Sequence, residues 1–211
     1  MYTLYYAPGA ASFAPHWLLI ELGVEHQLVR LDLSAGEHKQ AAYLKLNPNG
    51  LVPTLVVDDQ PMWESAAILL CVAARHRERG LAPEVGTLEH MTYLQWMVHL
   101  TNTLQPAFLG WFFPARLAGE GGDPEAAKAA ARERIEAGWG RIDAALATGE
   151  GYLAGERLLA VDFMATMLMR WSRNMPRPAT DWPAIRAYVT RMKALPSFHL
   201  LYEREGLTEW A

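Results

Sequence analysis

The stretch from Asn47 to Ser65 constrains the fold of this chain more than any other part of its 211 residues. Residues 47–50, Asn-Pro-Asn-Gly, are dense in turn formers. The β-branched run 54–57 favours a strand, and residues 61–63 favour a short second strand after a hairpin connection. The sequence therefore predicts turn, strand, turn, strand and the start of a helix, in that order.

The Val52-Pro53 bond is the most informative part of this stretch. Proline at a strand entrance cannot donate to a ladder, and X-Pro is the type of peptide bond for which the cis form is low in energy. A cis bond here would turn the backbone N–H and C=O of Val52 outward. An extended peptide could then pair with them, as in strand addition to a sheet edge.

Glu64 and Ser65 place a carboxylate and a hydroxyl at the start of the next helix, which we expect over residues 66–74 with Ser65 as its cap. A helix N-terminus suits the carboxylate of a ligand, and the Glu64 carboxylate suits an ammonium group. A small peptide with an α-amino acid at one end fits both groups and the edge at Val52.

These motifs resemble the glutathione-binding half of the cytosolic glutathione S-transferases. The first residues, Leu-Tyr-Tyr-Ala-Pro-Gly-Ala-Ala-Ser at 4–12, are most similar to the bacterial beta class. The resemblance covers the whole chain, with its specific motifs mainly before Arg77. It implies that Val52 and Pro53 hold the cysteinyl part of glutathione, and that Glu64 and Ser65 hold its γ-glutamyl end.

The composition excludes several other classes of protein. A net charge of −4 argues against a nucleic-acid surface. No apolar run reaches the length that spans a membrane, and we find no secretory signal at the N-terminus. The single cysteine, Cys71, cannot form an internal disulfide. We therefore expect a cytoplasmic protein with no nucleic-acid or membrane partner.

The first third of the chain alternates strand and helix. We expect strands at 2–6 and 28–31, a helix over 13–22 capped by Ser12, and a short helix over 41–46. With the two strands above, this order predicts an α/β thioredoxin-like domain, a mixed sheet covered by helices. We assign residues 1–78 to this glutathione-binding domain and 79–87 to a linker.

The rest of the chain, residues 88–211, predicts an all-α C-terminal domain. Asp123-Pro124 opens a helix with a cap and an N1 proline, and Pro106 should kink the helix before it. Apolar residues recur at helical spacing, at Leu88, Met91, Leu94, Met97, Thr101, Leu104 and Phe108, and at Ile135, Trp139, Ile142 and Leu146.

Ser12 and Tyr6 are the candidates for activating the thiol. A thiol is mostly protonated near neutral pH, so a donor or a helix dipole must lower its pKa. Ser12 opens a helix after a Pro-Gly turn, and Tyr6 precedes that turn. The alternatives are that Ser12 is the donor, or that it is only a cap and backbone groups serve in its place.

Two positions depart from the beta class. Ala11 stands where that class usually has a cysteine, so a mixed disulfide with glutathione cannot form there. Gln105 and Pro106 stand where the class often has a His-Lys pair, although Gln105 can still donate a hydrogen bond. By analogy with the family, Lys39 could meet the glycine carboxylate of glutathione.

The helical domain carries a candidate surface for an apolar electrophile, formed by Trp111, Phe112, Phe113 and Arg116. The histidines show no metal spacing, so we expect no metal. The resemblance implies a homodimeric enzyme that uses glutathione as co-substrate and joins its thiolate to small hydrophobic electrophiles. The alternatives are a glutathione-dependent isomerase or dehalogenase, and a glutathione-binding or interaction protein without turnover.

Overall fold

The computed structural model describes residues 1–149 and 151–210. It divides into two compact units. The first unit holds residues 1–82 together with 193–211, and the second holds residues 83–192.

The first unit is built on a four-stranded mixed sheet. The strands are β1 (Tyr2–Tyr6), β2 (His26–Arg30), β3 (Thr54–Val57) and β4 (Gln60–Trp63), in the order β2-β1-β3-β4. β1 pairs with β2 in parallel, and β3 is antiparallel to both β1 and β4. A parallel pair needs a crossover, which the helix between β1 and β2 supplies. The predicted mixed sheet is confirmed, although β2 begins two residues earlier than expected.

Four α-helices accompany this sheet: α1 (Phe13–Glu21), α2 (Ala41–Leu44), α3 (Ser65–Arg75) and α10 (Pro196–Glu205). Short 3₁₀ turns lie at Glu37–Lys39 and Arg77–Arg79. Side chains from β1, β3, α1 and α3 fill the core, with Leu4, Leu55, Trp17 and Ile68 fully buried. This burial of large apolar side chains is the main stabilising contribution to the unit.

The C-terminal helix α10 packs on α1 within the first unit. The Trp17 indole N–H donates to the Ser197 hydroxyl at 2.8 Å, and the rings of Trp17 and Phe198 lie 5.2 Å apart. Residues 193–211 therefore group with the sheet, whereas the sequence assigned them to the helical domain. The predicted domain boundaries remain a prediction.

The second unit consists of helices: α4 (Leu88–His99), α5 (Gln105–Phe112), α6 (Pro114–Ala118), α7 (Pro124–Thr148), α8 (Ala160–Trp171) and α9 (Pro183–Lys193), whose last residue falls in the first unit. A 3₁₀ turn lies at Ala179–Asp181. As predicted, the Asp123 carboxylate caps α7, accepting from the N–H groups of Glu125 and Ala126.

A π-helical segment, Leu100–Leu104, joins α4 to α5 directly before Pro106. Proline has no N–H for the helical ladder, and a π turn is one way in which a helix accommodates an interruption. The apolar repeat that runs through α4 and α5 differs in burial between its start and the rest. Met97, Leu104 and Phe108 are buried, whereas Leu88 and Met91 at the start of α4 are 80% and 64% exposed.

Asp162 organises the start of α8 and is completely buried. Its carboxylate accepts from the N–H of Leu159 at 2.8 Å, the N–H of Leu153 at 3.0 Å and the Tyr188 hydroxyl at 2.8 Å. The Leu159 bond supplies half of a capping box, and Leu159 has no hydroxyl for the other half. Burial raises the pKa of Asp162 to about 6, against the opposing effect of these hydrogen bonds.

Candidate functional site

The entrance to β3 presents an unpaired stretch of backbone. The Val52–Pro53 peptide bond is cis. Within residues 1–149 and 151–210, the N–H and C=O of Val52 make no hydrogen bond, and the residue is only half-buried. A free donor and acceptor on one residue can pair with an extended peptide in the manner of a β-ladder.

Two side chains fix the position of this edge. The Asn47 amide donates to the carbonyl of Leu51 at 2.8 Å, and the Tyr43 hydroxyl donates to the same carbonyl at 2.6 Å. Tyr43 also accepts from the Thr54 hydroxyl at 2.7 Å, and burial raises the pKa of Tyr43. Both residues hold the peptide unit that precedes Val52.

Sequence reasoning missed these two residues as site-forming groups. Asn47 was recognised only as a turn former, although its side chain is nearly fully buried. The signal that could have found it is the Asx turn in Asn47-Pro48-Asn49, where the N–H of Asn49 donates to the Asn47 side chain at 3.1 Å. No sequence signal marks Tyr43.

Lys39 lies beside the turn that enters Val52. Its ammonium group is exposed and donates to the Asn49 carbonyl at 3.2 Å. The neighbouring Gly50 has a φ of +57°, and a Cβ there would stand 2.9 Å from the His38 carbonyl oxygen. The close approach of the Lys39 loop to this turn therefore depends on glycine.

Glu64 and Ser65 begin α3 in an arrangement that differs from the prediction. Glu64, not Ser65, occupies the N-cap position, with a φ of +73° and an exposed carboxylate. Ser65 is buried, and its hydroxyl donates to the Ala11 carbonyl at 2.8 Å instead of capping the helix. The N–H groups of residues 65–67 find no acceptor in the described part of the chain. They leave α3 with an open anion-binding end.

The start of α1 also leaves backbone donors open. The N–H groups of Ala11 and Ser12 make no hydrogen bond to any described residue. Ser12 is completely buried; its hydroxyl donates to the Ala7 carbonyl at 3.0 Å and accepts from the Ala7 N–H at 3.2 Å. The Ser12 side chain forms no cap, contrary to the prediction.

This geometry disfavours Ser12 as a hydroxyl donor to a ligand, because its one proton is already donated to Ala7. Tyr6 differs: its hydroxyl has no hydrogen-bond partner among the described residues. The Tyr6 side chain is 7% exposed, and its ring lies 5.6 Å from that of His16. The structure thus brings Tyr6, Ala11, Ser12 and Ser65 to one end of α1 in the first unit.

The remaining predicted site residues lie in the second unit. Gln105 is the first residue of α5 and is half-buried. Phe112 and Phe113 are 45% and 55% exposed at the end of α5, and Arg116 is exposed on α6. Trp111 is half-buried under the Lys128 ammonium, 4.7 Å from the ring centre. Phe112 and Phe113 contact each other, with ring centres 6.5 Å apart, whereas Trp111 packs toward α7.

Among the described residues we find no group of three or more side chains that could hold a metal ion. Nor does any helix in the described ranges have the length and apolar character needed to cross a bilayer.

The chain matches known families over both of its units. Residues 1–73 match the model of the N-terminal domain of glutathione S-transferase, and residues 125–191 match that of its C-terminal domain. A solved glutathione transferase from Methylococcus capsulatus is 31% identical, with a TM-score of 0.88 over 99% of this chain and 100% of that one.

Two further structures are similar over nearly the whole chain. A bacterial beta class glutathione S-transferase from Sphingomonas chungbukensis is 29% identical, with a TM-score of 0.85 over 98% of this chain and 100% of that one. A sphingomonad glutathione S-transferase complexed with glutathione is 29% identical, with a TM-score of 0.84 over the same shares of the two chains.

The chain therefore belongs to the glutathione S-transferase family. The family and the fold expected from the sequence are confirmed, including the thioredoxin-like sheet followed by a helical region.

Proposed function

We propose that this protein binds glutathione and joins its thiolate to small hydrophobic electrophiles. One observation carries the proposal: the unpaired backbone of Val52 lies in the same unit as the exposed Glu64 carboxylate and the open N-terminus of α3. Glutathione has an extended peptide backbone and an amino-acid end that match these three features.

Each part of glutathione has a partner in this proposal. Val52, held before Pro53, pairs with the cysteinyl residue as an added strand would. Glu64 takes the γ-glutamyl ammonium group, and the N–H groups from Ser65 onward take the carboxylate beside it. The exposed Lys39 ammonium takes the glycine carboxylate.

The thiolate is stabilised by the free N–H groups of Ala11 and Ser12 at the start of α1, together with the Tyr6 hydroxyl. Helix N-termini lower the pKa of thiols, because the partial positive charge of the N–H groups favours the ionised form. Ala11 has no thiol, so the chemistry at this position is conjugation and not thiol-disulfide exchange.

The electrophile binds on the aromatic surface of α5 and α6, formed by Trp111, Phe112, Phe113 and Arg116. Exposed aromatic side chains lose unfavourable contact with water when they bind an apolar ligand. The role of Gln105 as a hydrogen-bond donor to glutathione stays a prediction. The lowered pKa of the thiol supplies the nucleophile in its ionised form at neutral pH.

We also propose a homodimer. The exposed side chains of Leu88, Met91, Leu94 and Val98 recur along one face of α4. Such an apolar stripe, on a protein of this family, is suited to cover its counterpart on a second copy. The cytoplasmic location inferred from the sequence stays a prediction.

The absence of the usual cysteine at Ala11 favours one competing function, a glutathione-binding protein without turnover. Retention on immobilised glutathione, followed by an assay with a generic aryl halide, separates the two. Conjugation is expected, and retention with no turnover of any electrophile would support the binding protein. No retention and no glutathione-dependent thermal shift would contradict both.

A further inference from the structure

A buried acid at the end of α10 contacts the turn between β1 and α1. Glu205 is 5% exposed, and its carboxylate accepts from the Gly9 N–H at 2.7 Å and from His16 Nδ1 at 2.8 Å. All three residues belong to the first unit. An ionised carboxylate has only acceptors, so Nδ1 is the donor.

The His16–Glu205 pair is fully buried, and such a pair is weak evidence of a stabilising role. Burying two ionisable side chains removes both from water, and a well-packed apolar pair often gives equal or greater stability. His16 Nε2 also has no partner among the described residues, which adds to the cost.

Contacts other than those of Glu205 also attach α10 to α1. The Ser197 hydroxyl already accepts from Trp17 at 2.8 Å, and the rings of Phe13 and Tyr202 lie 6.1 Å apart in an edge-to-face contact. The hydrogen bond to the Gly9 N–H is therefore the contact that distinguishes Glu205 from the rest of α10.

Gly9 lies in the middle of the turn that carries the open donors of α1. The two ends of this turn are fixed by other contacts: the Ser12 hydroxyl bonds to both backbone groups of Ala7, and the Ser65 hydroxyl bonds to the Ala11 carbonyl. Gly9 itself, with a φ of +67°, is held by a side chain almost two hundred residues further along the chain. A rotation of this peptide would reorient the N–H groups that follow it.

We infer that Glu205 is a positioning residue for the thiolate of glutathione. Its bond to Gly9 fixes the turn so that the N–H groups of Ala11 and Ser12 point at the sulfur. His16 holds the carboxylate in place through Nδ1. The inference rests on the proposed function and makes the C-terminal helix a part of the thiolate site.

Four variants test the inference by the pKa of bound glutathione, followed through the ultraviolet absorbance of its thiolate. Glu205→Asp keeps the charge but is one methylene too short to reach Gly9. Glu205→Gln keeps the reach and one acceptor. Glu203→Gln is an exposed control on the same helix, and Ser197→Ala loosens α10 without touching the turn.

The expected result is a specific loss in Glu205→Asp. The pKa of its bound thiol should rise by about one, a tenfold loss of thiolate at a given pH below that pKa. Glu205→Gln should stay near the parent, as should both controls. An unchanged pKa in Glu205→Asp overturns the inference. So does an equal rise in Glu205→Gln, which would assign the effect to charge, or in Ser197→Ala, which would assign it to general loosening.

A second measurement uses the parent protein alone and does not depend on the folding of any variant. Amide hydrogen exchange should show the Gly9 N–H protected without glutathione, whereas a Gly9 amide that exchanges freely contradicts the contact. Failure of the proposed function is a separate result, because the parent itself would then bind no glutathione and show no thiolate absorbance.

Discussion

Glu64 combines a backbone penalty with a useful side chain. A non-glycine residue at φ +73° and ψ 113° lies outside the favoured regions, and such conformations cost roughly 1–3 kcal/mol each. They occur at binding sites, where the surrounding structure holds them. The strained backbone of Glu64 places an exposed carboxylate beside the open start of α3.

Replacing Glu64 should therefore separate binding from stability. Glu64→Gly removes the carboxylate and relieves the backbone, so we expect little or no glutathione binding and a free energy of unfolding no lower than that of the parent. Calorimetric titration and urea unfolding measure the two quantities. Destabilisation by more than about 1 kcal/mol would contradict the strain assigned to this residue.

Glu64→Gln isolates the charge. A charge-assisted hydrogen bond contributes about 1.5–3 kcal/mol, so glutathione should bind at least tenfold more weakly. Glu25→Gln, at an exposed position on the same unit, is the matched control and should bind as the parent does. Equal affinity in the two variants would place the ammonium group elsewhere.

Tyr6 and Ser12 give opposite expectations for the thiolate. Tyr6→Phe should raise the pKa of bound glutathione and slow turnover at neutral pH, because an unpaired hydroxyl donor is removed. Ser12→Ala should leave that pKa unchanged but lower stability by about 1–3 kcal/mol, because it leaves the buried N–H of Ala7 without its hydrogen-bond partner. Turnover against pH and urea unfolding check both. A raised thiol pKa in Ser12→Ala would contradict this assignment.

The sequence suggested those candidate site residues whose proposed role follows from local order. Val52-Pro53 and Glu64-Ser65 are recognisable because a proline at a strand entrance and a polar pair before an apolar helix each have a local physical meaning. The partner of the Ser12 hydroxyl could not be predicted, since a serine before a helix either caps it or turns back to the preceding loop. Glu205 is separated from Gly9 by almost the whole chain.

At the scale of elements, the buried Asp162 at the start of α8 makes the stability of the protein depend on pH. Its pKa of about 6 in the fold lies above the ordinary value of 3.8, so the folded state binds more protons than the unfolded state between these pH values. The contribution of Asp162 to stability is thus fully present below about pH 4 and is lost as pH rises through about 6.

The Asp162→Asn variant tests this linkage. It should be less stable than the parent, because an amide cannot accept all three hydrogen bonds, and an unsatisfied buried donor costs about 1–3 kcal/mol. The variant also has no carboxyl group to titrate at this position. The free energy of unfolding of the parent should therefore exceed that of the variant by more at acidic than at neutral pH. Urea unfolding across this range measures it, and a difference that does not change with pH contradicts the raised pKa.

In the second unit, the ends of the helices were easier to predict from the sequence than the faces on which they pack. Asp123-Pro124 fixes the start of α7 because the cap and the N1 proline act within one turn. The apolar repeat at the start of α4 indicated a helix correctly. It could not reveal that Leu88 and Met91 lie at the surface, because a stripe for a core and a stripe for a partner have the same period.

At the scale of the whole molecule, this exposed stripe predicts self-association. Met91→Lys places a charge within it and should raise the dimer dissociation constant at least tenfold, since burying a methionine side chain contributes about 1.5–3 kcal/mol. Ala147→Lys, at an exposed position on α7, is the control. Sedimentation velocity over a concentration series measures both. An unchanged dimer in Met91→Lys, or a parent that is monomeric, contradicts the proposed interface.

The fold class followed from the order of elements and from the resemblance, whereas the grouping of the C-terminal residues did not. The sequence predicted helices across residues 88–211, and α10 is one of them, but its place on α1 depends on contacts such as Trp17 with Ser197. Long-range contacts of this kind leave no periodic signal in a single sequence.

The central claim is that Val52 and the start of α3 bind glutathione. A crystal structure of the protein with saturating glutathione tests it most directly. We expect the N–H and C=O of Val52 within hydrogen-bond distance of the cysteinyl residue, and the Glu64 carboxylate against the γ-glutamyl ammonium group. Glutathione bound elsewhere, or a Val52 backbone still unpaired at saturation, would contradict the account.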